Sequence, residues 1–205
     1  MKNISPISEQ RPDVIFVTET AAGYDAIPSI QGYVKFADKD VRELNHGGIV
    51  LYVSSALVPH VYNVTFNKCF ISFRLNFMPS VVFVGCYIQP ESSKYFDPDM
   101  FSELGGFLMT LRESKLISIM GGDVNCRFGD LNLIHENNHL LYEDNVDATS
   151  NKHGLMYGRD LCITSDIFPL NHLNYRGKIF DGGFTYCKGK KQSQIDFVYR
   201  QTKMV

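Results

Sequence analysis

Apolar residues in this chain fall mostly in short blocks with the spacing of strands. Asp13 to Thr20 (DVIFVTET) reads as a buried strand running onto a carboxylate, and Gly47 to Ser54 (GGIVLYVS) as a second one entered through paired glycines. Val61 to Phe66 and Phe70 to Phe77 follow, separated by Asn67 and Lys68, and are expected to form a hairpin. In the second of these, Ile71, Phe73, Leu75 and Phe77 alternate with Ser72, Arg74 and Asn76, the pattern of a strand with one wet face. Val81 to Ile88 (VVFVGCYI) is continuously apolar, which predicts a strand covered on both faces.

The period then changes. Met100, Leu104, Phe107 or Leu108, and Leu111 recur at helical spacing, with Asp97 placed to cap the helix and Pro98 suited to its first position. The chain returns through the apolar run from Leu116, which leads directly onto Gly121, Gly122, Asp123 and Asn125. Asp130 to His153 is polar and aperiodic, the mark of a long surface excursion, and a short helical stretch covers Leu155 to Cys162. Ile167 to Leu170 reads as a strand, and Phe184 to Cys187 is expected to pair with Ile195 to Tyr199 across a turn near Gly189. Hairpins with a few helices predict an α+β fold in which two packed, mainly antiparallel sheets are flanked by helices.

At 205 residues the chain is expected to form one domain, spanning 1–205. A hydrophobic share of 44% is that of a globular protein, and no apolar run approaches the roughly 18 residues of a membrane span. The expectation is a soluble protein with no membrane partner. The amino-terminal segment lacks the apolar core of a secretory signal, so an intracellular, reducing location is expected for Cys69, Cys86, Cys126, Cys162 and Cys187. An odd count without a CxxC pair argues against a disulfide framework and against a thiolate zinc site. The net charge of −2 gives no general attraction to polyanions. Locally, Arg176, Lys178, Lys188, Lys190, Lys191, Arg200 and Lys203 make the last stretch basic, compatible with a nucleic-acid patch and equally with a solvated hairpin tip.

Chemistry is suggested where acids meet strand ends. Glu19, Asp123 and Asn125 each follow an apolar run, and Asp123 and Asn125, two apart, would share a face if the strand continued. Asp196 sits between Ile195 and Phe197, near the core, where a charge requires a partner. Such oxygen donors converging on one rim would suit magnesium or manganese. Alone, each is equally a solvated strand cap.

The ordered segments RPDVIFVTET, GGIVLYV, VVFVGCYIQP, IMGGDVNCRFGD, GGFTY and SQIDFVY resemble the endonuclease/exonuclease/phosphatase superfamily, most of all the endonuclease domains of non-LTR retrotransposons, from about Pro12 to Tyr199. The resemblance implies a four-layered α/β sandwich and divalent-metal hydrolysis of phosphodiesters, with Mg2+ or Mn2+ as cofactor and DNA as the expected partner. It implies a metal ligand at Glu19, a phosphate contact at Tyr87, an aspartate managing the attacking water at Asp123, a phosphate-steadying amide at Asn125, and at Asp196 the acid that orients a catalytic histidine. Thr185 and Ser193 fall where the family places substrate-side hydroxyls, and Lys190 and Lys191 lean toward nucleic acid. A nicking endonuclease of a retroelement protein, alongside a reverse transcriptase domain and in the nucleus, is the implied setting.

The chain departs from the pattern at both ends. The family's opening strand with its metal-binding asparagine and its closing Ser-Asp-His strand find no counterpart here, so the domain is expected to be incomplete at both termini, with the first and last strands lacking. Each missing polar group in a phosphate site raises the barrier by on the order of 3 kcal/mol. Poor hydrolysis by this chain is expected, and a catalytically inactive remnant or binding module with the same fold is the alternative. The HENNH run, His135 to His139, fits a zinc-protease spacing but lies in an asparagine-rich stretch without helical character, which favours a solvated loop.

Overall fold

A computed structural model of the chain describes residues 11–38 and 46–125 with their side chains, and the backbone of six short strands between 167 and 201. The first three strands, β1 (Val14–Thr18), β2 (Tyr33–Phe36) and β3 (Ile49–Ser54), form an antiparallel sheet in the order β1-β3-β2. The sequence pattern marked β1 and β3 but passed over β2, a four-residue strand whose alternation is too brief to stand out. A larger sheet is built from β4 (Val61–Phe66), β5 (Phe70–Leu75), β6 (Met78–Tyr87), β7 (Ile117–Asp123), β8 (Ile167–Pro169) and, at the far end of the chain, β13 (Asp196–Gln201), in the order β4-β5-β6-β7-β13-β8. Helix α1 (Asp99–Glu113) connects β6 to β7, which makes β6–β7 parallel while the remaining pairings are antiparallel.

The expected α+β sandwich is what forms. Leu51 and Val53 of β3 and Val14 and Phe16 of β1 pack on Ile71, Phe73, Leu75 and Phe83 between the two sheets. On the opposite face of the large sheet, Phe70, Val82, Val84, Cys86 and Met120 receive Phe101, Leu104, Leu108 and Leu111 of α1. Leu104 and Leu108 are fully buried, worth about 1.5–3 kcal/mol each. Gly85 is needed at the inter-sheet contact, because a Cβ there would lie 2.1 Å from the Phe16 ring. The outer face of the small sheet is covered by the segment after β1: Tyr52 Oη donates to Pro28 O at 2.6 Å, and Lys35 Nζ to Tyr24 O and Ile27 O at 2.8 and 3.0 Å.

Three local expectations are corrected. The wet face assigned to β5 is dry at Ser72, which is 2% exposed, because the strand is central and α1 closes the side that alternation left for water. The helix begins one residue later than expected: Pro98 occupies the N-cap, and Asp97 serves from one position earlier, its Oδ1 accepting the Asp99 N–H at 3.1 Å. The hairpin expected between Phe184–Cys187 and Ile195–Tyr199 is not made. Two further strands, β11 (Tyr186–Lys188) and β12 (Lys191–Ser193), pair with each other instead, and β13 is taken by β7 and β8. The apolar run of β13 takes a place inside the large sheet, between β7 and β8. Two more strands, β9 (Leu173–Tyr175) and β10 (Lys178–Ile179), complete the described backbone as a small ribbon. The surface excursion 130–153 and the helix expected over 155–162 lie outside the described residues.

Candidate active site

The parallel pairing of β6 and β7 brings Tyr87 level with Asp123, one strand apart at the same rim. Laterally paired residues share a face of a sheet, so these two side chains leave it on the same side. Close approach of the strands here depends on Gly122, whose φ is +139° and whose added Cβ would lie 2.0 Å from the Cys86 carbonyl oxygen. The Ile88 N–H donates to Asp123 O at 2.9 Å, extending the ladder past the end of β6. On the other flank of β7, β13 places Asp196 at the register position opposite Asp123. Its side chain lies outside the described residues.

Glu19 comes from the other sheet. It follows β1 with a left-handed backbone (φ 55°), unusual for a residue with a side chain and often found at functional positions. The Tyr87 ring is buried, 6% exposed, and its hydroxyl donates to Glu19 Oε1 at 2.7 Å, joining the rims of the two sheets. Burial pushes the Tyr87 phenol well above its ordinary range, reinforced by the hydrogen bond to Glu19 and by the nearby charges of Glu19 and Asp123. It is therefore held as a neutral donor.

Asn125 meets the site differently from the shared-face expectation. Strand β7 ends at Asp123, and Asn125 lies beyond it at φ 47°. Its backbone N–H donates to Asp123 Oδ1 at 2.8 Å, and its Nδ2 donates to Ile88 O at 2.8 Å. The asparagine thus orients the Asp123 carboxylate and ties the end of β7 to the end of β6, with one amide hydrogen left for a ligand.

Glu19, Tyr87, Asp123 and Asn125 are accordingly gathered at one rim. Lys191 and Ser193 are placed by backbone only, in β12, and Thr185, Lys190 and the HENNH run lie outside the described residues. Three residues beside the site were not singled out by sequence. Gln89 is 6% exposed, and its Oε1 accepts from Ser93 Oγ at 3.4 Å. His46 stacks on Tyr95 with ring centroids 3.6 Å apart. The third is Thr20, next to Glu19. A polar residue directly after an apolar strand, in YIQP, and a histidine before paired glycines were the available signals.

The donors suit a hard cation. Among the described residues no group of three His, Cys, Asp or Glu side chains that could hold a metal ion is found, and Glu19 and Asp123 are the carboxylates that the Tyr87 hydrogen bond and the strand register bring to this rim. Magnesium favours such a set, since it keeps several waters and is commonly bound through one or two carboxylates together with substrate phosphate.

No protein-family model matches the sequence, and no curated protein matches it. Solved structures do. The AP endonuclease LMAP from Leishmania major aligns with a TM-score of 0.68 and 14% identity, covering 97% of this chain and 72% of that one. The 3'-5' exonuclease NExo from Neisseria meningitidis aligns at 0.62 and 14%, covering 95% and 78%. The endonuclease domain of TRAS1, a telomere-specific non-LTR retrotransposon, aligns at 0.55 and 15%, covering 96% and 76%. With so few identities the likeness is one of backbone, and by it the chain has the sandwich fold of the endonuclease/exonuclease/phosphatase superfamily.

Proposed function

We propose that this chain is a divalent-metal-dependent phosphodiesterase acting on nucleic acid, of the nicking kind found in retroelement proteins. The observation that carries the reading is the hydrogen bond from Tyr87 to Glu19 across the two sheet rims, with Asp123 level with Tyr87 on the adjoining strand. Nucleases share the fold, and the Neisseria 3' phosphatase NExo has been solved bound to a product DNA hairpin.

Each group has a role its environment suits. Glu19, exposed at the rim, would hold magnesium or manganese, and the ion when bound would draw charge from a non-bridging phosphate oxygen. Asp123, its Oδ1 fixed by the Asn125 N–H, orients a water toward phosphorus. Tyr87, whose one hydroxyl hydrogen goes to Glu19, holds that carboxylate at the rim, and the remaining amide hydrogen of Asn125 is a neutral donor for the charge that grows on the phosphate oxygens. Asp196, at the register position opposite Asp123 on β13, would be the acid that orients a histidine.

The test is nicking of supercoiled plasmid by the full chain. Slow conversion to open circles in magnesium, stopped by EDTA and absent in Asp123→Asn and Glu19→Gln, is expected. Equal conversion by Asp123→Asn would overturn the reading. A second reading, an inert binding sandwich, draws on the engagement of Asn125 Nδ2 by the Ile88 carbonyl, a structural use of an amide expected on substrate. It is distinguished by a magnesium titration followed by nuclear magnetic resonance: resonances near Glu19 and Asp123 shift at a working site and stay still at an inert one.

A further inference from the structure

Paired glycines lead into β3, and the first of them, Gly47, touches both partners of the hydrogen bond that joins the two sheet rims. Its carbonyl oxygen accepts the Ala21 N–H at 2.8 Å, which hangs the turn carrying Glu19 from the entry to β3. Glu19 and Ala21 both have left-handed backbones, φ 55° and 43°, so this turn is held in a shape that side chains do not favour. On its other side Gly47 presents a bare Cα to the end of β6. A Cβ there would lie 3.1 Å from Gln89 Nε2 and 3.5 and 3.8 Å from Cε1 and Cδ1 of the Tyr87 ring. The contacts therefore close on themselves: the Glu19 turn is held by Gly47, Gly47 lies against the Tyr87 ring, and the Tyr87 hydroxyl returns to Glu19.

Gln89 backs this closed set. Its side chain is buried, and its Oε1 accepts from Ser93 Oγ at 3.4 Å. Ser93 is held in turn by its own N–H on Pro90 O at 2.8 Å and by the Tyr95 N–H, which its Oγ accepts at 3.2 Å. A buried and tethered amide is a wedge between the entry to β3 and the segment after β6, because a packed interior passes small displacements on. The separation of the two rims is thus set by how thin residue 47 is against Gln89 and Tyr87. A displacement of about half an ångström is enough to carry the 2.7 Å bond from Tyr87 to Glu19 past the usual limit of about 3.0 Å for a hydroxyl donor.

We infer that Gly47 and Gln89 are positioning residues, which act through Tyr87 to set where the Glu19 carboxylate stands. The catalytic consequence rests on the nuclease reading; the coupling between these residues does not. A methyl at 47 crowds Gln89, and loss of the amide at 89 leaves a gap behind Gly47, so the two changes disturb the rim in opposite senses and partly cancel when combined.

The test follows Tyr87 by nuclear magnetic resonance in the full chain, isotope-labelled at the tyrosine Cζ, with its signal identified by Tyr87→Phe. In the parent chain Glu19→Gln is expected to displace this signal, since the hydroxyl loses its charged acceptor. In Gly47→Ala and in Gln89→Ala the same Glu19→Gln change should displace it less than half as far, and in the double variant most of the displacement should return. Reading the effect of Glu19→Gln within each background removes the direct influence of the new side chains on the ring. Nicking of supercoiled plasmid in magnesium is expected to fall about tenfold in each single variant and to recover in the double one, against the roughly 100-fold that a misplacement of about 1 Å can cost. If Gly47→Ala does not fold, Gln89→Ala carries the comparison, since removing atoms there crowds nothing. Equal displacement in every background would show packing alone, overturning the positioning role and leaving the nuclease reading standing. The expected pattern in a parent chain that does not nick would uphold the positioning role and overturn the nuclease reading. No displacement in the parent would remove the hydrogen bond itself and overturn both.

Discussion

Replacing Gly122 with alanine is expected to break the register on which the site depends. Two independent penalties can be read from the structure. The backbone at φ +139° is one that side chains rarely adopt, which costs of order 1–3 kcal/mol. The new methyl would also lie 2.0 Å from Cys86 O and 2.9 Å from Cys86 C, backbone atoms of the partner strand that cannot swing aside. Forced overpacking of this kind adds about 1–3 kcal/mol. The sum, about 2–6 kcal/mol, is a large part of the roughly 5–15 kcal/mol that holds a domain together, and corresponds to a fall in Tm of order 10 °C. Gly121 is the internal control, since a Cβ there meets nothing within 4 Å. Thermal and urea melts of Gly122→Ala and Gly121→Ala should therefore diverge, with Gly121→Ala within about 0.5 kcal/mol of the parent. Equal stability of the two variants would refute the argument that strand approach at Gly122 sets Tyr87 beside Asp123.

Other substitutions probe the remaining layers. Tyr87→Phe keeps the buried ring and removes only the donor to Glu19, so nicking should fall roughly 100-fold while stability drops by no more than about 1 kcal/mol; a similar loss in both would point to packing alone. Leu104→Ala empties a fully buried position under the large sheet and is expected to cost about 2–5 kcal/mol in a urea melt. Burial, with the charge of Glu103 second, pushes the Cys69 thiol up to about 12, and burial pushes Cys86 higher still. Unfolded thiols ionise near about 8.5, so above that pH the unfolded chain holds fewer protons and stability declines as pH rises toward 12. The urea midpoint is expected to be lower at pH 9.5 than at pH 7, and peptide mapping should find Cys69 and Cys86 unlabelled by a thiol reagent in the native protein.

Much of the sandwich was legible because its strands are apolar enough to declare themselves. The continuous run Val81 to Ile88 announced a strand covered twice, and the spacing of Met100, Leu104, Leu108 and Leu111 announced the helix that covers it. What alternation could not convey was which faces are finally dry. Ser72 carries the mark of an exposed position and is buried, since helix α1 arrives from a part of the chain that β5 does not foresee. Partner choice was similarly hidden: the run around Asp196 looks locally like half of a hairpin and is drawn into the large sheet by β7, more than seventy residues away. At the site, Glu19, Asp123 and Asn125 were visible as polar residues that follow apolar strands, and Tyr87 only through the family resemblance. The role of Asn125 was not, because it depends on a left-handed backbone that follows the strand.

The bond from Tyr87 to Glu19 spans 68 residues of sequence, and the pairing of Asp123 with Asp196 reaches further still. Loop closure on that scale is slow, and every partner must be present before any of the chemistry exists. During synthesis the small sheet and β4 to β7 would therefore emerge first, and the large sheet is completed only when β13 enters between β7 and β8. Under the proposed nuclease function, a chain made only in part carries no assembled site.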